Sequence, residues 1–488
     1  MHGEVHEIKR ENMVLFIIVL GTLMGAVDST IVLLAFPVIS ESLHSDIITT
    51  LWIILAYLLI IAVTTIQVGR IGDIYGRSKM FMLGFTIFTV TSALCGLSPT
   101  ILILIVSRAV QAVGAALMQS NSGAIVADTF PRNVQGKAFG YTSLGWTTGA
   151  MLGIILGGTI TTFLGWRLIF LINIPIGAAA IGFGLKYVRD VNRTKTRVDF
   201  AGMILLGVAL FLLSYGATDF AGAGMTMFNF ALIMLGVFVI LFFIFYDRRL
   251  ENPMIDFKSF QNRVLRNATG SSFFVSLGYL SVAFLIIMYL QGVRGLSPLD
   301  ASVLLIPGYV AGSFLAPIMG RLSDKYGSRA IASLGVTFLI GATFVYLTLR
   351  HNSPFHIVVL GSVISGIGTS MYFPANTSAV MEHARTGSYG SISGLLRTIQ
   401  NIGILGSYVL AISVASISIP RNMAFAIFIG TTNLSGGLSD AFIRGIDSAL
   451  YASVVVLIVA VLLSLTRGKE QRTNSSMWAK PIEQQKRS

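Results

Sequence analysis

A chain of 488 residues that is 54% hydrophobic and only 11% charged has too little polar surface for a soluble protein, in which about a quarter of the residues carry charge. Its net charge of +13 comes from Lys and Arg in short stretches between apolar runs, a pattern of membrane topology and not of a nucleic-acid surface. The single cysteine, Cys95, excludes a disulfide framework within the chain.

The polar opening at residues 1–12 lacks the apolar core of a cleaved signal peptide, so the first apolar run reads as a retained span. Hydropathy then predicts about fourteen spans, near 13–37, 50–69, 79–98, 100–127, 136–163, 167–187, 200–217, 226–246, 267–291, 299–319, 329–349, 355–379, 389–415 and 445–466. Each has roughly the 20 residues that cross a bilayer as a helix. Helices are expected because lipid leaves the polar edges of an open sheet unsatisfied.

Two stretches, 69–77 (GRIGDIYGR) and 320–328 (GRLSDKYGS), form an internal repeat. They share Gly69/Gly320, Arg70/Arg321, Asp73/Asp324, Tyr75/Tyr326 and Gly76/Gly327, each pair displaced by 251 residues. Repetition at a fixed displacement marks a duplicated architecture. The first copy follows span 2 and the second follows span 10, on the same side, so the halves are parallel repeats. Span 9 then corresponds to span 1, and spans 7 and 8 are left over. The predicted fold is an all-α integral membrane protein of two parallel six-helix bundles plus two inserted helices. Its expected units are an N-terminal bundle (1–188), a two-helix insert with linkers (189–260), a C-terminal bundle (261–466) and a cytoplasmic tail (467–488).

Charge placement predicts orientation. With the N-terminus inside, the inner loops and termini hold 27 of 34 basic residues, the outer loops hold Arg167, Arg294, Arg350, Arg421 and Arg444, and Arg108 and Arg397 lie within spans. The excess of positive charge puts both termini in the cytoplasm of a multi-pass plasma-membrane protein.

Of the acidic residues, Asp28 lies deepest in a span. An aspartate at mid-helix costs about 2.5–3.5 kcal/mol on insertion scales, and such residues mark ion pathways or structural ion pairs. At about 1.5 Å per residue, Arg108 in span 4 falls at a similar depth, which nominates Asp28 and Arg108 as a proton-coupling pair. One proton moved through 100 mV supplies about 2.3 kcal/mol, and each pH unit about 1.4 kcal/mol. Gln111, Asn121, Tyr279, Gln400 and Asn401 are candidates for a substrate cavity, with helix–helix packing as the alternative for each. In the repeat, Gly69, Arg70, Asp73, Gly76 and Arg77, with Gly320, Arg321, Asp324 and Gly327, are expected to form turns and ion pairs that gate the cytoplasmic side. Gly145, Gly149, Gly153 and Gly157 run along one face of span 5, either as a sliding surface between the halves or as static packing. No cofactor and no metal are expected. There is no P-loop, H-E-x-x-H or G-x-S-x-G stretch, so ATP hydrolysis within the chain and familiar hydrolase chemistry are not indicated.

The segments 28–32 (DSTIV) and 35–37 (AFP), 69–79 with its second copy at 320–329, 108–111 (RAVQ) with Gly114, 166–177 (WRLIFLINIPIG) and 199–202 (DFAG) span nearly the whole chain. Together they resemble the major facilitator superfamily, and within it the 14-span drug:proton antiporter group. The resemblance implies a secondary transporter that exports amphipathic or cationic drugs or toxic compounds in exchange for protons, and links Arg108 and Gln111 to proton coupling. The chain departs from that pattern at Leu33 and Ala112, and at Ala150 and Ile154, where span 5 of an antiporter has prolines; transport direction therefore stays open. The expected partners are the lipid bilayer, a small-molecule substrate and protons, with no nucleic acid and the chain as a monomer. Two other readings stay open: a carrier of one metabolite or siderophore-like compound, and a membrane sensor or scaffold that does not transport.

Overall fold

A computed structural model describes residues 2–130, 132–188, 198–250, 253–255, 259–382, 389–418 and 437–468. Fourteen helices among them are long and apolar enough to cross a membrane. The first six spans are Arg10–Ser42, Ile48–Tyr75, Arg77–Gly96, Ile101–Val126, Leu144–Phe163 and Leu168–Tyr187. Spans 7 and 8 are Phe200–Ala223 and Met227–Asp247. The last six are Arg263–Val293, Pro298–Ser323, Ser328–Leu347, His356–Glu382, Gly394–Ile417 and Asp440–Leu465. No strand occurs among the described residues. An even number of spans puts residues 2 and 468 on one face, here called the terminal face.

Helix starts are set by local chemistry. Asp46, Thr100, Asp199, Thr226, Asn262 and Ser297 each cap a helix by accepting backbone N–H bonds that the first turn cannot satisfy itself. The repeat ends on a tighter device. Gly76 alone separates the helices of spans 2 and 3, and Gly327 alone separates those of spans 10 and 11, with φ of 113° and 96°. A side chain at either position would be strained in that backbone region.

The two sets of six spans pair alike. Span 1 packs on 5, 2 on 4, 3 on 4 and 3 on 6; their counterparts are 9 on 13, 10 on 12, 11 on 12 and 11 on 14. Spans 7 and 8 pack on each other, and span 7 lies against spans 2 and 13. Between the sets, span 5 meets span 10 and span 2 meets span 13, as the 251-residue displacement requires.

At the face opposite the termini the halves are joined. Leu299 N–H donates to Thr162 Oγ1 (3.2 Å), Gln291 Nε2 donates to the Leu34 carbonyl (3.2 Å), and Phe36 meets Phe284 edge to face at 5.3 Å. Gly158 lets span 5 approach span 10 so closely that a methyl group there would meet the Pro298 carbonyl at 2.8 Å. By contrast, no atom would lie within 4 Å of a methyl group at Gly25 in span 1 or Gly394 in span 13.

Two local expectations change. The segment expected as one helix over 267–291 is broken: helix runs to Tyr279, resumes at Val282 and ends in a π turn at Tyr289–Val293. At the break, Ser407 Oγ accepts from Ser281 N–H (3.0 Å) and donates to Ser281 Oγ (2.8 Å), so a neighbouring helix satisfies the interrupted backbone. Arg467, expected to open the tail, is fully buried and donates to Asn376 Oδ1. Residues 469–488 lie outside the described residues.

Candidate functional site

The fold brings a polar cluster together inside the first six spans. Arg108 Nη1 donates to Asp28 Oδ2 at 2.6 Å, with side-chain exposures of 2% and 0%. Gln111, one turn from Arg108, donates to Asp28 Oδ1 (3.1 Å) and Ser92 Oγ (2.6 Å), and accepts from Arg108 Nη1 at 2.7 Å. Asn173 donates to Asp28 Oδ1 (3.3 Å) and Ser92 Oγ (3.2 Å). The Arg108 guanidinium also lies 4.0 Å from the Tyr57 ring centre. Both carboxylate oxygens are therefore held by donors, and the cation is covered by an aromatic face. Without such partners a buried charge would cost several kcal/mol. Spans 1, 2, 3, 4 and 6 each contribute a side chain, so any shift among them changes the surroundings of the carboxylate.

The predicted cavity residues separate. Gln111 is fully buried in the Asp28 cluster, so it serves the carboxylate and does not line a cavity. Asn121 is 1% exposed and donates to the Leu117 carbonyl (2.8 Å); it packs where a methyl group on Gly72 of span 2 would sit. That is helix packing, and it corrects the cavity assignment. Tyr279 ends the first segment of the broken span 9 and is buried beside Ser365 and Tyr309. Gln400 donates to Ser272 Oγ at 2.9 Å. Asn401 is 7% exposed, and its Nδ2 has no hydrogen-bond partner among the described residues. One turn before it, Arg397 is exposed, with its guanidinium 5.9 Å from the Trp146 ring centre in span 5 of the other half.

In the first copy of the repeat, Arg77 binds two carboxylates: Asp73 Oδ1 at 2.7 Å, one turn back, and Asp128 Oδ2 at 2.8 Å, at the end of the span 4 helix. Arg70 Nη2 donates to the Pro253 carbonyl at 2.6 Å, which ties span 2 to the linker after span 8. Asp247 anchors that linker by accepting from Met254 N–H (2.6 Å) and Ile255 N–H (3.0 Å). A methyl group at Gly69 would meet Ser120 Oγ at 2.5 Å, whereas one at Gly320 would meet nothing within 4 Å. The copies thus share their turn but not their packing. Arg321 is exposed, and the side chain of Asp324 lies outside the described residues.

The span 5 glycines do not face the other half. Methyl groups at Gly145, Gly149, Gly153 and Gly157 would meet the Val19, Leu23, Val27 and Ile31 carbonyls of span 1 at 2.6–3.0 Å. Span 1 belongs to the same bundle, so the strip packs two helices of one unit, and the sliding surface is ruled out. Lacking proline at 150 and 154, the span 5 helix runs unbroken from Arg132 to Phe163, and Thr30 Oγ1 donates to the Ala150 carbonyl at 3.2 Å.

Four contributors escaped the sequence reading of the site. Ser92 and Asn173 are polar residues inside spans, a signal that was present but shared with ordinary helix glue. Tyr57 and Asp128 carried no signal before the helices were packed.

Two bundles with matching helix pairing, joined at one face, and a fully buried carboxylate–arginine pair in one of them define a multi-pass membrane transporter, not an enzyme. The Major Facilitator Superfamily model matches residues 18–408, and the chain belongs to that superfamily. It is 30% identical over 398 residues to the riboflavin transporter RibZ of Clostridioides difficile (strain 630), covering 81% of this chain and 86% of the relative. It is also 30% identical over 410 residues to the tetracenomycin C resistance and export protein of Streptomyces glaucescens, covering 82% and 76%. The fold is similar to the crystal structure of a bacterial homologue of the human lysosomal transporter Spinster in an inward-facing, unoccupied conformation. That match has a TM-score of 0.64 and 16% identity, and covers 94% of this chain and 97% of the other.

Proposed function

We propose that the protein is a proton-coupled exporter of amphipathic small molecules that works by alternating access between its two six-helix bundles. The observation that carries this reading is the Asp28–Arg108 pair, buried with Gln111, Ser92 and Asn173 where four spans converge. A carboxylate in such a place exchanges a proton when helix movement replaces its cationic partner with water or an apolar wall. Asp28 is the proton carrier, and Arg108 is its alternating partner. Export is supported by the relative whose name states export of tetracenomycin C. The terminal face is cytoplasmic on the charge count, the protein acts as a monomer in the plasma membrane, and the Arg77–Asp73–Asp128 contacts hold spans 2, 3 and 4 at that face until the cycle parts them.

A second reading, a carrier dedicated to one aromatic metabolite, is favoured by the similarity to a riboflavin transporter. Purified protein in liposomes tests both. An imposed pH gradient is expected to drive movement of amphipathic compounds, with Asp28→Asn removing the proton-driven component. Transport at the wild-type rate by Asp28→Asn, with unchanged dependence on the gradient, defeats the proton-coupling assignment. Movement of a single compound out of a broad panel selects the dedicated carrier.

A further inference from the structure

Arg397 is an arginine within a membrane span that has neither a carboxylate nor a carbonyl partner among the described residues. It lies in the first turn of span 13, which begins at Gly394, where a cation reaches water, a lipid headgroup or a ligand. Its place is between the halves: it is exposed, and its guanidinium lies 5.9 Å from the ring centre of Trp146, in span 5 of the other half.

The surrounding face of span 13 adds a second unsatisfied donor. At 3.6 residues per turn, Gly394, Arg397 and Asn401 share one face of the helix. Gly394 borders open space, and Asn401 Nδ2 is buried without an acceptor. The opposite face is already used, since Gly403 packs on the Phe273 carbonyl of span 9. Two donors one turn apart, one of them charged, match the two oxygens of a carboxylate, sulfonate or phosphonate. An indole beside them offers a flat wall for a ring.

Resting on the transport reading above, we propose that the junction of the two halves at Arg397 takes aromatic organic anions. Arg397 pairs with the anionic group, Asn401 donates a second hydrogen bond to it, and Trp146 stacks on the ring. Arg397 stands on the second bundle where it meets Trp146 of the first, whereas Asp28 and Arg108 neutralise each other inside the first. Substrate charge and proton coupling are thereby assigned to different halves.

The test uses the full-length purified protein in detergent without added lipid. Fluorescence anisotropy measures binding of fluorescein, an aromatic anion, and ethidium, an aromatic cation. Wild-type protein is expected to bind fluorescein at least tenfold more tightly than ethidium. Arg397→Gln should weaken fluorescein by about tenfold or more, and Arg397→Lys by less. Trp146→Leu should weaken it about three- to tenfold. Ethidium binding that equals fluorescein binding in the wild type overturns the proposal, and that comparison needs no variant to fold. So does unchanged fluorescein affinity in a monodisperse Arg397→Gln. Displacement of fluorescein by an equal concentration of short-chain phosphatidylglycerol assigns the arginine to a lipid headgroup and also overturns it. Liposome assays separate the two claims. Proton-driven movement of both probes, unaffected by Arg397→Gln, leaves transport standing and removes the anion site. Arg397-dependent fluorescein binding without any transport does the reverse.

Discussion

Asp28 Oδ2 and Arg108 Nη1 lie 2.6 Å apart with both side chains withdrawn from solvent, and the remaining Asp28 oxygen is held by Gln111 and Asn173. The pair is both a structural element and the centre of the proposed coupling, and those two roles can be separated experimentally.

Removing one member leaves the other charge buried alone. Arg108→Gln should destabilise the detergent-solubilised protein by about 3–5 kcal/mol, read as a lowered midpoint of thermal unfolding. Combining Arg108→Gln with Asp28→Asn should recover much of that loss, because no uncompensated charge remains. Gradient-driven transport should be absent from both. A double variant no more stable than Arg108→Gln would count against a direct ion pair.

Ser92 and Asn173 orient the carboxylate without carrying charge. Asn173→Leu removes a donor to Asp28 and should cost about 1–3 kcal/mol. It should also displace the pH dependence of transport relative to wild type while leaving substrate affinity within about twofold, an order-of-magnitude expectation for a residue outside the cleft. A pH profile that superimposes on the wild type would limit Asn173 to packing.

The glycines of the repeat should respond unequally. Gly76→Ala and Gly327→Ala force a side chain into a positive-φ region that glycine favours, with φ at 113° and 96°, at about 1–3 kcal/mol each. Gly69→Ala also meets Ser120 Oγ, whereas Gly320→Ala enters open space and should be nearly neutral. Expression level and unfolding midpoint across the four variants check this order.

The strip on span 5 is a packing seam. Gly149→Leu would drive a side chain into the Leu23 carbonyl and Ala26 Cβ, at 2.6 and 2.8 Å from the first added carbon, and should cost at least the 1–3 kcal/mol typical of overpacking. Gly25→Ala, which meets nothing within 4 Å, is the matched control. Equal stability of the two variants would show that spans 1 and 5 are not in close contact.

At the terminal face, Arg77 joins Asp73 and Asp128 with its side chain 24% exposed. Each partly exposed pair is worth about 0.2–1 kcal/mol, so Arg77→Gln should barely change the unfolding midpoint. Its effect should fall on turnover: slower transport with unchanged probe affinity. A loss of affinity equal to the loss of rate would argue that Arg77 acts on the binding cleft instead.

Much of the architecture was legible one residue at a time. Span positions follow from apolar runs that must match the bilayer, and the paired glycines at 76 and 327 announce a turn that only glycine accepts easily. Asp28 and Arg108 stood out because charge inside a span is expensive, and similar depth along two helices was enough to pair them. Depth does not give rotation. Polarity within spans nominates Asn121 and Gln111 for a cavity, yet one packs on Gly72 and the other supports the carboxylate. The glycine strip was periodic in the sequence, but its partner, span 1 and not the other half, depended on how the helices were arranged.

Composition, hydropathy and the 251-residue repeat determined by themselves that this is a fourteen-span, duplicated membrane protein, because the bilayer acts on each segment separately and leaves little choice of secondary structure. Tertiary packing alone decided which polar side chains meet. It gathered Asp28, Arg108, Gln111, Ser92 and Asn173 from four separate spans, and left Arg397 beside Trp146 of the other half without a carboxylate among the described residues. Helix rotation and crossing are set by contacts between distant segments, and those contacts have no counterpart in any local stretch of sequence.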